Sequence, residues 1–431
     1  MNEPSMLFFL IQKTIVVLST FGAVMGVVAI TTLVERRVAA FIQDRYGPNR
    51  TGWFGILQPA ADGLKNFMKE ETMPAAASQP YFIMGPILSL APALVIFAVV
   101  PFAAPLPTPW GVVEMIVADV PIGILYVLAL SSLGVYGVVM GGWSSNNKFS
   151  FLGGLRASAQ MVSYEVALGL AIVAVLMLSG NVTLTEMVWQ QQQLNFWYVF
   201  PLSLAFILFV ISAFAETSRT PFDMPEAESE LVGGFHTEYS GMKYAMYPMG
   251  EYAHMITSSA LMATLFFGGW DIPFWTGDDA FLLNGEWIRG FSEGGVPMAA
   301  ELAWWKTIFT FGAFALKTYF FVIFYIWVRW TVPRFRYDQI MQLGWKVMLP
   351  VALAYVMVVA ATILTLDSLE VAYGFTFGLV LTVVSAICTG LFLFVLDRGR
   401  TLDGSSAGAG KRMRAQLVES GRESTIAPSA D

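Results

Sequence analysis

Long apolar runs divided by polar loops dominate this chain. Nine runs approach or exceed the 20 or so residues that a helix needs to span a bilayer. They cover roughly 6–33, 81–103, 121–141, 161–180, 197–215, 252–271, 303–328, 346–366 and 371–396. Clear polar loops separate the first seven, whereas only "LDSLE" joins the last two, which reads as a tight hairpin. No period-2 alternation of the barrel kind occurs, so helices are left to satisfy backbone polar groups in lipid. The pattern predicts an all-α polytopic membrane protein of about nine transmembrane helices. Residues 1–396 form its membrane domain. Residues 397–431 form a Gly/Ser-rich tail of mixed charge, read as flexible or ordered by a partner.

One further helix differs in kind. After the turn residues Gly47-Pro48-Asn49, the residues Leu57, Ala60, Ala61, Leu64, Phe67 and Met68 recur at spacings of three and four. Asp62, Lys65, Asn66 and Lys69 fall largely between them. That is an amphipathic helix suited to the membrane interface.

Composition supports the membrane reading. Of 431 residues, 56% are hydrophobic and 13% charged, about half the charged share of soluble domains. A soluble core of this size could not hide so much apolar surface. The opening "MNEPSMLFFLIQKTIVV" has no basic n-region and no small-residue cleavage site, and reads as a first span and not a cleaved signal. The single cysteine, Cys388, cannot form an internal disulfide. His236 and His254 are too few and too far apart for a metal site, and His254 reads as a packed or hydrogen-bonded group. There is no metal-ligand set, flavin motif or nucleotide loop, so a redox centre would have to sit on a partner.

Orientation follows from Lys and Arg. The loops 34–80, 142–160, 216–251 and 329–346 and the tail after 396 hold six, two, two, four and six basic residues, 20 of the chain's 24. The opposite loops, 104–120, 181–196 and 272–302, hold only Arg289. The first group is therefore expected in the cytoplasm, with the N-terminus outside and the C-terminus inside.

Charges near the spans are few. Glu35, Arg36 and Arg37 sit where the first helix leaves the membrane. Their structural reading is snorkelling and dipole compensation. Glu165 is expected to open the fourth helix, and Glu251, with Tyr252 beside it, the sixth. Lys317 lies inside the seventh span, where an amine should face a polar interior and find a carboxylate on a neighbouring helix. The segment "FAETSRTPFDMPEAESELVGG" sets Glu216, Asp223, Glu226, Glu228 and Glu230 beside one arginine, Arg219, at the end of an apolar run. Asp223 with Met224-Pro225 reads as an N-cap and first-turn proline, which accounts for one or two acids. Five exceed that need. Carboxylates crowded near low dielectric share protons, a proton-path signature.

Several segments together resemble one family: "ERRVAAFIQDRYGPNR", "LQPAADGLK", "ALSSLGVYGVVMGGWSSNNKFSFLGGLRASAQMVSYE", "AETSRTPFDMPEAESELVGGFHTEYSGMKYA" and "VRWTVPRFRYDQIMQLGWK". They are similar, in order and over about residues 6–366, to the H-type membrane subunit of bacterial respiratory complex I, the NADH:quinone oxidoreductase, equivalent to mitochondrial complex I subunit 1. The resemblance implies a chain that forms the opening and floor of a quinone chamber. Glu35, Arg36, Asp62, Arg219, Asp223, Glu226 and Arg329 match chamber positions. Glu165, Glu216, Glu228 and Glu251 match the acids of a proton route, to which Glu230, Tyr252 and Lys317 are added on position. The chain itself would bind no cofactor. Quinone would be its substrate, with FMN and iron–sulfur clusters on peripheral-arm subunits. Its other partners would be the hydrophobic complex I subunits and membrane lipid, not nucleic acid. The setting would be the bacterial inner membrane. The ninth span and tail go beyond the mitochondrial form. Membrane-bound hydrogenases and deazaflavin-coenzyme dehydrogenases share the acidic-loop logic, so the electron donor, the quinone type and H⁺ versus Na⁺ stay open. A stand-alone transporter would show midplane ligands and repeats, and a passive anchor would tolerate loss of the acids.

The charge asymmetry makes a direct prediction. Single cysteines at Asn49 and Gly234, in a Cys388→Ala background, should react with impermeant maleimide only from the cytoplasmic side. Labelling of either from outside would overturn the orientation.

Overall fold

A computed structural model describes residues 6–108, 111–194, 196–225, 231–272, 275, 280–283, 286–289, 304–371 and 373–397. Twelve α-helices occur among them: α1 (Met6–Ile42), α2 (Gln58–Met68), α3 (Gln79–Ile96), α4 (Gly123–Ser144), α5 (Lys148–Ser179), α6 (Leu184–Leu194), α7 (Ser203–Glu216), α8 (Gly241–Phe266), α9 (Trp304–Thr331), α10 (Tyr337–Gln342), α11 (Leu349–Ser368) and α12 (Phe375–Asp397). A π-helical turn, Leu343–Met348, carries α10 straight into α11. Two short hairpins, β1 (Leu106–Thr108) with β2 (Gly111–Val113) and β3 (Ala280–Leu283) with β4 (Glu286–Arg289), are the strands among the described residues. Three or four residues per strand leave no readable alternation in sequence.

The protein is thus an all-α polytopic membrane fold. Among the described residues, seven helical stretches are long and apolar enough to cross a bilayer. Two further helices coincide with the apolar runs 197–215 and 252–271 but differ from a simple span. The regular part of α7 has 14 residues, about 21 Å of helix against a hydrocarbon core of about 30 Å. In α8 the opening stretch, "GMKYAMYPMG", is mixed in polarity, and the apolar half follows. Interior prolines at 86 and 92 in α3 and 248 in α8 leave these helices unbroken, as neighbouring helices allow in membrane bundles.

Two expected helix starts are corrected. Glu165 does not open its helix: α5 begins at Lys148, with the Asn147 side chain accepting from Phe149 N. Nor does Glu251, since α8 begins at Gly241. Both acids lie well inside their helices. Hydropathy marks the stretch that suits lipid, but small polar residues such as those of "SFLGGLRASAQ" stay helical when packed against other helices.

α5 is the spine of the bundle. It packs on α4, α7 and α11, and α3 packs on α4 and α8. Tyr164, Ala167, Ala171, Ala174 and Val175 fill its inner face. Phe206, Phe209, Phe266, Phe267 and Phe321 interlock α7, α8 and α9 edge to face. Outward positions stay apolar: Leu18 and Ile30 on α1, Leu316 and Phe320 on α9, and Leu391 on α12 are more than half exposed. On α2, Leu64, Phe67 and Met68 are likewise uncovered. Such surface suits lipid and would be a liability in water.

The α3–α4 contact is the closest. A Cβ on Gly137 would lie 2.6 Å from Ser89 N and 2.8 Å from Gly85 O. Both obstacles are backbone and cannot swing aside. Gly137→Ala should therefore force α3 and α4 apart at a cost of about 1–3 kcal/mol. The thermal midpoint of the purified assembly should fall, whereas Gly169→Ala, with nothing within 4 Å of its Cβ position, should leave it unchanged.

Candidate functional site

The last turns of α1 and α9, the middle of α8 and the loop after α7 meet at one end of the bundle. Glu35 is only 4% exposed there. Its carboxylate receives Arg219 Nη1 at 3.2 Å and also Arg329 Nη1. The Tyr252 hydroxyl bonds the same carboxylate. Arg219 is equally enclosed. Its Nε lies 3.8 Å from Glu251 Oε2, and its guanidinium sits 4.2 Å over the Tyr252 ring. Two arginines are thus set against two glutamates, with a cation–π contact between. Burial tends to strip the proton from Arg219, but the charges of Glu35 and Glu251 override it and hold that proton more firmly than in free arginine. A buried charge survives only when compensated this completely.

Beside Glu35 opens a cavity of about 410 Å³, walled by Arg36, Arg45, Tyr46, Tyr252, Arg329 and Trp330 among others. Its size falls within the ordinary range for small-molecule sites. At its rim α2 is tied to α1. Arg36 Nη1 donates to Asp62 Oδ2 at 2.6 Å, while Lys65 Nζ at 3.1 Å and Gln58 Nε2 at 3.0 Å donate to Oδ1. Partial burial favours the protonated Asp62, but the bonds from Lys65, Gln58 and Arg36 outweigh it and hold its carboxyl below the usual range. Asp62 therefore stays ionised at neutral pH.

The acidic loop is pinned at several points. Gln160 of α5 donates to Ala215 O at 2.7 Å and to Phe222 O at 2.8 Å, clamping the loop's start and the residue before Asp223. Asp223 pairs with Arg334 at 3.0 Å, and Phe335 N donates to Pro221 O at 3.1 Å. The "VPRFRYDQ" segment thus reaches back over the loop.

Behind the ion cluster the interior is polar but narrow. Glu251 and Glu216 line the same small cavity, of about 40 Å³, with Ser131, Thr217 and His254. A second, of about 30 Å³, continues from Glu216, Ser131, Thr217 and His254 to Thr257, Ser258 and Leu168. The Glu216 carboxylate meets the Ser131 hydroxyl and lies near enough to Glu165 for their charges to interact. Ser132 in turn donates to Glu165 Oε1. Exposure that Glu216 and His254 retain is exposure to these cavities.

The structure therefore brings together Glu35, Arg36, Asp62, Arg219, Asp223, Arg329, Glu251, Tyr252, Glu216 and Glu165. Glu226, Glu228 and Glu230, with the start of the helix that Asp223 was expected to cap, lie outside the described residues. Lys317 stands apart, twelve residues before Arg329 on α9, or about 18 Å along the helix. Its amine donates to Phe267 O at 2.7 Å, Gly269 O at 3.1 Å and Asp271 O at 2.5 Å. The expected partner was a carboxylate on a neighbouring helix. These carbonyls lie just beyond α8, and the Asp271 carboxylate in the same segment is near enough for its charge to interact with the Lys317 amine. Sequence reasoning missed Gln160, Ser131, Ser132 and Arg334. The available signal was polar side chains within apolar helices, which periodicity does not rank.

Comparison with known proteins places the chain in a family. A family model described as NADH dehydrogenase matches residues 14–360. An H-type NADH-quinone oxidoreductase subunit of Cytophaga hutchinsonii is 44% identical over 83% of this chain and 98% of its own length. Its counterpart in Flavobacterium psychrophilum is 46% identical over the same shares. NADH-ubiquinone oxidoreductase chain 1 of Chondrus crispus is 45% identical over 83% of this chain and 99% of its own.

The two ion pairs should respond differently to substitution. Glu35→Gln leaves two arginines facing each other in a buried site, and removing one partner of such a pair costs about 3–5 kcal/mol. Arg36→Gln breaks a pair whose arginine is half exposed and should cost about 1 kcal/mol or less. Thermal unfolding of the purified assembly, read for each variant, checks the ranking.

Proposed function

We propose, for a chain that belongs to the NADH dehydrogenase family and is a membrane subunit of an NADH:quinone oxidoreductase, that it forms the opening of the quinone chamber and an acidic route coupling quinone reduction to proton translocation. Arg219 is the observation that carries this reading. It contacts Glu35 beside the large cavity on one side and Glu251 beside the inner cavities on the other.

In this reading the quinone ring enters the cavity beside Glu35 past the Arg36–Asp62 rim. Electrons come from partner subunits that carry the redox groups. Reduction takes two electrons and two protons to make the quinol, and negative charge builds on the ring before the protons arrive. The cavity wall itself carries Arg36, Arg45 and Arg329, and the cations that respond through Glu35 are Arg329 and Arg219. As they turn toward it, their hold on Glu35 and Glu251 weakens, and Glu251 becomes a better proton acceptor. Glu216, Ser131, Ser132 and Glu165 then offer successive sites leading inward along α7, α4 and α5. The cytoplasmic placement of this end and a bacterial inner-membrane location belong to the same proposal.

Glu216→Gln keeps size and hydrogen bonding but removes the acidic proton. In the assembled complex it should lower quinone reduction and coupled proton translocation roughly tenfold or more. NADH oxidation by ferricyanide at the peripheral arm should persist. Wild-type turnover and pumping in that variant would overturn the route.

A further inference from the structure

His254 is the one titratable group lining both inner cavities that the route above leaves unused. It lies on α8, three residues past Glu251, so the two side chains share a face of the helix. Both cavities are lined by it together with Glu216, Ser131 and Thr217. Each has room for roughly two or three waters, and the imidazole stands where they adjoin.

Its place is built by neighbours. On α4, Gly134 has no side chain where the ring sits: a Cβ there would lie 3.3 Å from His254 Nε2 and 3.7 Å from Cε1. Gly134 itself lines the first cavity. The Ser89 backbone on α3 supplies a hydrogen-bond partner for the ring. A neutral imidazole donates from one nitrogen and accepts at the other, and the bond made by one nitrogen sets the state of the other. An imidazole that only filled space would need neither a glycine opposite nor carboxyl and hydroxyl groups reaching into the cavities beside it.

We propose that His254 is a proton relay between the two cavities. One ring nitrogen takes a proton from the Glu251–Glu216 side, the ring becomes briefly an imidazolium, and a proton leaves toward the cavity bounded by Thr257 and Ser258. One proton enters and one departs, so the ring returns to its neutral form. Other titratable groups facing this space are Glu216 from α7, and Glu251 and Tyr247 from α8 itself. The inference rests on the proton-route reading and adds to it a residue of different chemistry.

The test uses the full complex in proteoliposomes, with His254→Gln, His254→Glu and Glu216→Gln compared. Glutamine approximates the size and hydrogen bonding of histidine but cannot carry the proton; glutamate can. Quinone reductase turnover and proton translocation should fall roughly tenfold in His254→Gln, with NADH–ferricyanide activity retained. His254→Glu should recover much of the loss. A purely structural histidine would favour glutamine over glutamate. Wild-type coupling in His254→Gln, or glutamate no better than glutamine, overturns the relay. Impairment in Glu216→Gln with wild-type behaviour in His254→Gln sinks the histidine alone, whereas wild-type behaviour in both sinks the route as well. Should His254→Gln fail to assemble, His254→Asn takes its place under the same criteria.

Discussion

A buried carboxylate between two arginines organises the charged end of this bundle. Glu35 comes from the first helix, whereas Arg219 and Arg329 lie 184 and 294 positions further on. Without that carboxylate, two guanidinium groups would face each other in a medium that screens them poorly. With it, the end of α1, the loop after α7 and the end of α9 are drawn to one point. The cavity beside Glu35 depends on this arrangement, because Arg329 and Tyr252 in its wall are both held by the same carboxylate.

The same contact makes the site two-sided. Arg219 turns one edge to Glu35 and another to Glu251, and Glu251 already belongs to the interior cavities. Gln160 fixes the backbone of the loop that presents Arg219 through two buried hydrogen bonds, so the side chain alone is left to move between its partners. Glycines on α3 and α4 bring these helices close enough for Ser89, Ser131 and Gly134 to wall the space behind Glu251. Packing of small residues and placement of polar ones are parts of one arrangement.

Much of this could be read from the chain. The apolar runs located the helices, and the amphipathic spacing located α2. The charged residues at helix ends were visible, and resemblance to a family assigned them to chamber and route. Their pairings were not legible, because an ion pair across 184 residues leaves no spacing to read. Glu165 and Glu251 were expected at helix starts because hydropathy reports affinity for lipid, while helicity continues through Gly- and Ser-containing segments that face protein. Lys317 was expected to find a carboxylate, and Asp271 lies within reach of its charge; the three backbone carbonyls that take its hydrogen bonds carry no sequence signature. His254, expected to be packed or hydrogen-bonded, bonds the Ser89 backbone and lies against Gly134; the cavities beside it exist only in three dimensions.

The narrowness of those two cavities bears on ion selectivity. An alkali cation could enter spaces of about 40 and 30 Å³ with only a few waters of its shell, exchanging the rest for the hydroxyls and carboxylates of the walls. A proton has no shell to shed. It advances by exchange of hydrogen bonds between neighbours, which requires contact and not width. In the proposed route, spaces this narrow favour transfer along hydroxyls, carboxylates and trapped water over passage of a hydrated ion.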